Sequence, residues 1–254
     1  MLSNILRRDL LRELVARDLK LRYRRSVLGI LWSLMNPLLQ LVILSLIFSF
    51  ILPLDIENYT LFLFIGLLSW IWLSSSLTIA TSSIVDNRGL IRRPGFPSGI
   101  LPLVSITSNL IHFLLSLPIV LIMLLLSGVG IKLTIILLPA IIALQYIFIL
   151  SICIYLAVFQ VTLRDTQHLV GVALFFWFYL TPIFYSTAMI PEQYRMLYAL
   201  NPMVHIVDAY RAVLMYGELP PVLPLLIIGV ISFLMMLIGY RLLRRASDHF
   251  VEEL

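Results

Sequence analysis

The sequence predicts an all-α membrane protein of six transmembrane helices. Both termini are expected in the cytoplasm, with an N-terminal amphipathic interface helix and short external helices between spans five and six. Three observations carry this expectation. Six runs, 26–54, 58–85, 94–131, 133–163, 166–191 and 219–240, contain no Asp, Glu, Lys or Arg, and each is long enough for the roughly 20 apolar residues that cross a bilayer as a helix. Hydrophobic residues make up 61% of the chain, against about 45–50% in soluble domains. The remaining charges are sorted: taking the connecting segments alternately, fifteen Lys and Arg fall on one side and three on the other. Positively charged loops stay cytoplasmic, so the net charge of +5 reports orientation in a membrane, not affinity for nucleic acid.

Residues 1–25 read as a helix lying along the cytoplasmic interface. Leu6, Leu10 and Leu14 form one i, i+4 row, and Leu11, Val15 and Leu19 another, with Arg8 and Arg12 opposite. Glu13 and Arg17 interrupt the apolar arc, so part of this face is expected to meet protein. Lys20, Arg22, Arg24 and Arg25 follow at the membrane surface, where each cation interacts with anionic lipid by roughly 1 kcal/mol.

Spans are expected at about 28–52, 60–83, 100–127, 134–162, 167–186 and 221–241. The first apolar run is far longer than the roughly 7–15 residue core of a signal peptide and is expected to remain as span one. Pro37, Pro102, Pro118, Pro139 and Pro182 each remove a backbone donor inside or beside a span. Such bends serve either a gated path or plain helix packing. Residues 86–97 form a cytoplasmic segment rich in arginine, and Gly128 and Gly130 end the third span. The external segment, 187–218, mixes charges with Met189, Ile190, Leu197, Met203, Ile206 and Val213. This favours short amphipathic helices divided at Asn201 and Pro202. No internal repeat is visible, so symmetry is expected to come from self-association.

Catalytic and metal chemistry find little support. His112 alone is plausibly deep in a span and suits a helix-to-helix hydrogen bond. His168, His205 and His249 have no metal-ligand spacing, and the single Cys153 excludes an intrachain disulfide. There is no phosphate-binding Gly-x-x-x-x-Gly-Lys-Ser/Thr loop, no Gly-x-Ser-x-Gly elbow and no His-Glu-x-x-His helix. The spans also lack carboxylates for ion coupling. The expected role is transport, not an enzyme, with any ATP bound elsewhere.

Three stretches carry a family resemblance. They are RYRRSVLGILW at 22–32 with NPLL at 36–39; RRPGFP at 92–97 with Leu101, Pro102 and NLIH at 109–112; and RD at 164–165 with FYLTPIFY at 178–185, NPMVH at 201–205 and DAYR at 208–211. Together they resemble the permease subunit of type-2 ABC exporters that move polysaccharides or polyol phosphates (O-antigen, capsule or teichoic acid). The resemblance implies a homodimer bound to two copies of a cytoplasmic P-loop ATPase, which holds ATP and Mg. It further implies a lipid-linked polysaccharide substrate and a bacterial or archaeal inner (plasma) membrane, with no nucleic-acid partner. In that reading Arg8, Arg12, Asp86, Arg88, Arg92 and Arg93 dock the ATPase. Arg22, Arg24 and Arg25 meet either a lipid pyrophosphate or anionic bilayer lipid. Trp32, Trp177, Tyr179, Phe184 and Tyr185 line the polymer path or form part of the interfacial aromatic belt. Pro191, Tyr194, Tyr198, Asn201 and Pro202 belong to the outer gate, a pair of short re-entrant helices. An exporter of a drug or small lipid is the first alternative. A membrane-embedded transferase acting on lipid-linked sugars is the second, and it would need buried acid–base groups that the chain scarcely offers.

Overall fold

The computed structural model describes residues 2–24, 29–51, 53–93, 95–247 and 250; Arg25 and His249 lie outside them. Among the described residues every regular element is helical, with no strand. Helix α1 (Leu2–Arg22) is followed by α2 (Trp32–Leu46), whose last turn widens over Ile47–Ile51. Helix α3 (Tyr59–Asp86) is followed by the short α4 (Arg88–Ile91), then by α5 (Ile100–Leu126) and α6 (Leu138–Thr162). Helix α7 (Thr166–Tyr179) precedes two short helices, α8 (Glu192–Ala199) and α9 (Pro202–Arg211). Helix α10 (Val222–Ser247) completes the bundle.

Among the described residues, four segments are long and apolar enough to cross a membrane: Tyr59–Asp86, Ile100–Leu126, Leu133–Thr162 and Val222–Ser247. The protein is therefore a multi-pass membrane protein. The first expected span is helical over all its described residues, 29–51, whereas the fifth is helical over a shorter stretch. The apolar part of α2 covers Leu34–Ser49, and the expected span 167–186 is helical over only the 14 residues of α7. At about 1.5 Å per residue α7 reaches roughly 21 Å, short of a ~30 Å hydrocarbon core.

Helix α3 is the central post, packed by α2, α5, α6, α7 and α9. It is apolar all round, as a helix buried on every side must be. Small residues along it, including Gly66, Ser69, Ser76 and Ala80, admit the neighbouring backbones closely. Two of its hydroxyls bond within the helix: Thr81 Oγ1 donates to Leu77 O (2.6 Å) and Ser83 Oγ to Ala80 O (2.7 Å). The Gln145 side-chain amide donates to Ser69 O at 2.8 Å, fixing α6 against α3 in the buried interior.

A second apolar cluster gathers where α3 ends and α5 begins. Val15 of α1 is buried there with Ile84, Ile91, Leu101, Val104 and Leu243, and Leu10, Leu11, Leu14 and Leu19 pack around it. Leu10 and Leu14 of one row and Leu11, Val15 and Leu19 of the other thus rest on protein, while Arg8 and Arg12 are exposed. Helix α10 packs mainly on α6, where Gly239 lets Tyr155 approach and Tyr155 Oη donates to Met235 O at 2.9 Å.

Candidate functional site

At the end of α7 the chain leaves the helix. Pro182 has no N–H to continue the ladder, and a run of carbonyls must find donors elsewhere. Side chains supply them. Thr181 Oγ1 donates to Trp177 O (2.8 Å), the Asn201 amide to Leu180 O (3.0 Å), and Tyr185 Oη to Tyr179 O (2.9 Å). Tyr59 Oη, at the start of α3, donates to Phe184 O at 2.9 Å. Arg211 takes the deepest pair, Nη1 to Pro182 O at 2.7 Å and Nη2 to Ile183 O at 2.8 Å. Irregular backbone at membrane depth is tolerable only when protein or water shields it. Here protein does so carbonyl by carbonyl.

Arg211 is almost completely buried at 1% exposure. Its guanidinium lies 3.4 Å from the Phe62 ring centroid, and Asp208 stands 3.6 Å away, one turn back along α9. A buried cation needs this density of partners. Burial lowers the Arg211 side chain to about 10, and Asp208 acts in the opposite sense, so the group is charged at neutral pH. Gly66 makes the room: a Cβ there would come within 2.8 Å of Arg211 Nη2 and 3.2 Å of Ile183 O.

Asn201 joins the two sides of the break. Its Oδ1 caps α9 by accepting from Met203 N (3.0 Å) and also accepts from Trp177 Nε1 (2.8 Å), while its Nδ2 reaches Leu180 O and Thr181 Oγ1. Asn followed by Pro202 at the first helical position is a strong helix start. The cap is therefore local in sequence, and the bonds to α7 are long-range.

Aromatic rings surround the break. Phe184 stacks on Phe48 with centroids 5.3 Å apart and meets Phe178, Tyr179 and Tyr185 edge-on or tilted. Trp177 packs edge-on against Trp70, and Tyr185 Oη lies 3.0 Å from Tyr198 Oη of α8. Of the expected path residues, Phe184 and Tyr185 gather at the break and Trp177 contributes its N–H to Asn201. Tyr179 and Trp32 are exposed, Trp32 on the far helix α2. Pro191 immediately precedes α8, Tyr194 is exposed on it, and Pro202 opens α9.

The other end of the bundle holds the basic groups. Asp86, Arg88, Arg92 and Arg93 are all exposed around α4, with Ser82 Oγ donating to Asp86 at 2.6 Å. Arg8 lines a cleft of about 640 Å³ between α1, residues 96–103 and the end of α10, where Arg244 and Tyr240 also contribute. Arg22 pairs with Asp18 at 3.1 Å and donates to Asn109 Oδ1 at 3.0 Å, whereas Arg24 is exposed. Tyr23 Oη approaches His112 at 3.2 Å, edge to face. His112 thus joins α5 to the turn after α1. Gly66, Thr181 and Arg211 were not singled out by sequence reasoning as functional. The available signals were a lone arginine in the apolar stretch 203–215 and the place of Thr181 and Arg211 within the FYLTPIFY and DAYR stretches.

A membrane helix bundle with a protein-capped break beyond α7 and exposed basic residues at the opposite end has close relatives. The chain is 35% identical over 249 residues, 97% of its length and 96% of the relative's, to an O-antigen export system permease protein, RfbA, of Myxococcus xanthus. It is 33% identical to the RfbA permease protein of Klebsiella pneumoniae, over 96% of this chain and 94% of that one. A polysialic acid transport protein of Escherichia coli, KpsM, is 26% identical over 92% of both chains. Residues 9–215 match the ABC-2 type transporter family, and the chain belongs to that family.

Proposed function

We propose that this chain is the membrane-spanning permease subunit of an ATP-driven exporter, moving lipid-linked polysaccharide from the cytoplasmic to the outer face of the inner or plasma membrane. The observation that carries this reading is the 35% identity over 97% of the chain to an O-antigen export permease. It is a transport subunit, not an enzyme. Six spans with cytoplasmic termini agree with the distribution of charges. Two copies of the chain would form the path and two cytoplasmic ATPase subunits, holding ATP and Mg, would drive it.

The α4 region with Asp86, Arg88, Arg92 and Arg93, together with Arg8 and Arg12 on α1, offers the ATPase an exposed charged surface. Closure of the ATPases would act through α1 and α4 on the cytoplasmic apolar cluster, and so on α3 and α5. ATP shifts this equilibrium only by contacting the two states differently. Arg22, Arg24 and Arg25 suit phosphate on a lipid carrier. The break beyond α7, with Tyr198, Asn201 and Pro202, serves as the outer gate. A sugar polymer presents C–H faces that slide on aromatic rings while its hydroxyls stay hydrated, which suits a path walled by Tyr179, Phe184 and Tyr185.

The test is deletion of the gene in a strain without a paralogous permease. The expected result is lipid-linked polymer trapped on the cytoplasmic face and its absence from the surface. Normal surface polymer in that strain would overturn the reading.

A further inference from the structure

The cleft of about 640 Å³ between α1, residues 96–103 and the end of α10 includes neither Arg22 nor any residue of the break beyond α7. Three helices converge on it. Arg8 and Leu11 stand one turn apart on α1, Ile100 and Leu103 one turn apart on α5, and Tyr240, Arg244 and Ser247 lie along one side of α10. Gly99 sets how closely the walls stand, because a Cβ there would come within 3.0 Å of Leu243 Cδ2.

Three polar groups at this cleft are unanswered. The guanidinium groups of Arg8 and Arg244 make no ion pair and no hydrogen bond among the described residues. Ser98 lines the cleft and is only 5% exposed, yet its hydroxyl has no partner among the described residues either. No carboxylate is part of the described lining. Two cations on one cleft repel each other, and a buried hydroxyl without a partner is destabilising. One anion seated between them answers all three.

The rest of the lining narrows that anion. Leu11, Ile100, Leu103 and Leu243 give the cleft an apolar side, so its ligand is amphipathic. Tyr240 and Arg244 lie toward the end of a helix long and apolar enough to cross a membrane, where aromatic and basic side chains mark the interface. Basic pockets between spanning helices at this level suit anionic headgroups. The non-bridging oxygens of a phosphodiester accept from arginine forks and from a hydroxyl alike.

We infer that this cleft is a binding site for the phosphodiester headgroup of an anionic bilayer phospholipid, which joins α1 to α5 and α10. The ligand is a lipid of the surrounding membrane, not cargo, and its binding does not depend on what the protein exports. Titration calorimetry of the full chain in dodecyl maltoside tests this, with dihexanoyl phosphatidylglycerol as probe. Saturable binding is expected, about tenfold or more tighter than for dihexanoyl phosphatidylcholine, which carries its own cation, or glycerol 3-phosphate, which lacks acyl chains. Arg244→Gln should weaken it about tenfold. Ser98→Ala should weaken it three- to tenfold and leave the lipid-free melting temperature unchanged, because no protein group loses a bond. Arg241→Gln makes the same charge change at an exposed position of α10 outside the lining and should alter affinity less than twofold.

Absence of saturable binding would overturn the site. So would equal weakening by Arg241→Gln and Arg244→Gln, which would reduce it to diffuse attraction between a basic surface and anionic lipid. Equal binding of glycerol 3-phosphate would make it a site for free phosphate and overturn its lipid half. Binding that emerges only with Glu252→Gln and Glu253→Gln would give the cleft to the acidic end of the chain itself. None of these outcomes bears on the exporter reading, which is decided by surface polymer in the deletion strain.

Discussion

At the scale of single residues, Arg211 decides whether the chain beyond α7 can sit in an apolar bundle. It supplies charged donors to Pro182 O and Ile183 O and lies over Phe62. Hydrogen bonds to charged groups contribute about 1.5–3 kcal/mol each in water-soluble proteins, and buried polar bonds in membranes average nearer 0.6 kcal/mol. Arg211→Met should therefore lower the unfolding free energy by about 3 kcal/mol, read as a lower melting temperature in detergent. Arg211→Lys keeps the charge but not the planar fork, so it should recover less than half of the loss. A wild-type melting temperature for Arg211→Met would show that Pro182 O and Ile183 O find other donors. These contacts were not legible in the sequence, where Arg211 counted as one of three outer cations and as the end of the DAYR stretch that carries the resemblance. Its acceptors lie about 28 residues back in the chain at Ile183, and Phe62, nearly 150 residues away, is brought to it only by packing. The Asn201–Pro202 helix start was legible, because capping is a local property.

Helices α7 and α9 form one coupled unit, and Asn201 is the joint. A charge-free run reports that a segment can enter hydrocarbon, not that its backbone remains helical, which is why 167–186 was expected as a full span. Pro182 carried the missing information but was ambiguous between a bend and a break. Asn201→Ala removes the cap on Met203 N and the partner of Trp177 Nε1, and leaves Leu180 O without its donor. Losing a cap costs about 1 kcal/mol. The larger effect should be loosening of α9 from α7. The expected outcome in liposomes is a several-fold greater ion leak with unchanged co-purification of the partner ATPase. Asn201→Asp retains both acceptor roles and loses only the donor, so its leak should lie between wild type and Asn201→Ala. An unchanged leak in both variants would remove the 187–218 segment from the gate.

On the scale of the whole molecule, two kinds of apolar surface face outward, and they differ in what they can tolerate. Helix α10 shows lipid-ready residues such as Leu226, Val230 and Leu237 along an unbroken helix long enough to cross a bilayer. Helix α7 exposes Leu169, Val172, Phe175, Phe176 and Tyr179, an aromatic-rich face on a helix of only 14 residues whose irregular continuation is capped by protein donors. Helix α2 similarly exposes Trp32, Met35, Leu39 and Val42 above its widened last turn. Under the proposed homodimer these two faces would be buried against a second copy of the chain, which would bring the aromatic rings of α7 to the middle of the assembly. In a Cys153→Ala background, single cysteines at Val172 or Phe176 should therefore form disulfide-linked dimers in membranes under mild oxidation, and cysteines at Val230 or Leu237 should not. ATP added with the partner ATPase should change the yield at Val172 and Phe176, because those positions must separate for a polymer to pass. Efficient crosslinking at α10 with none at α7 would place the subunit contact on α10 and overturn the assignment of the α2 and α7 faces to it.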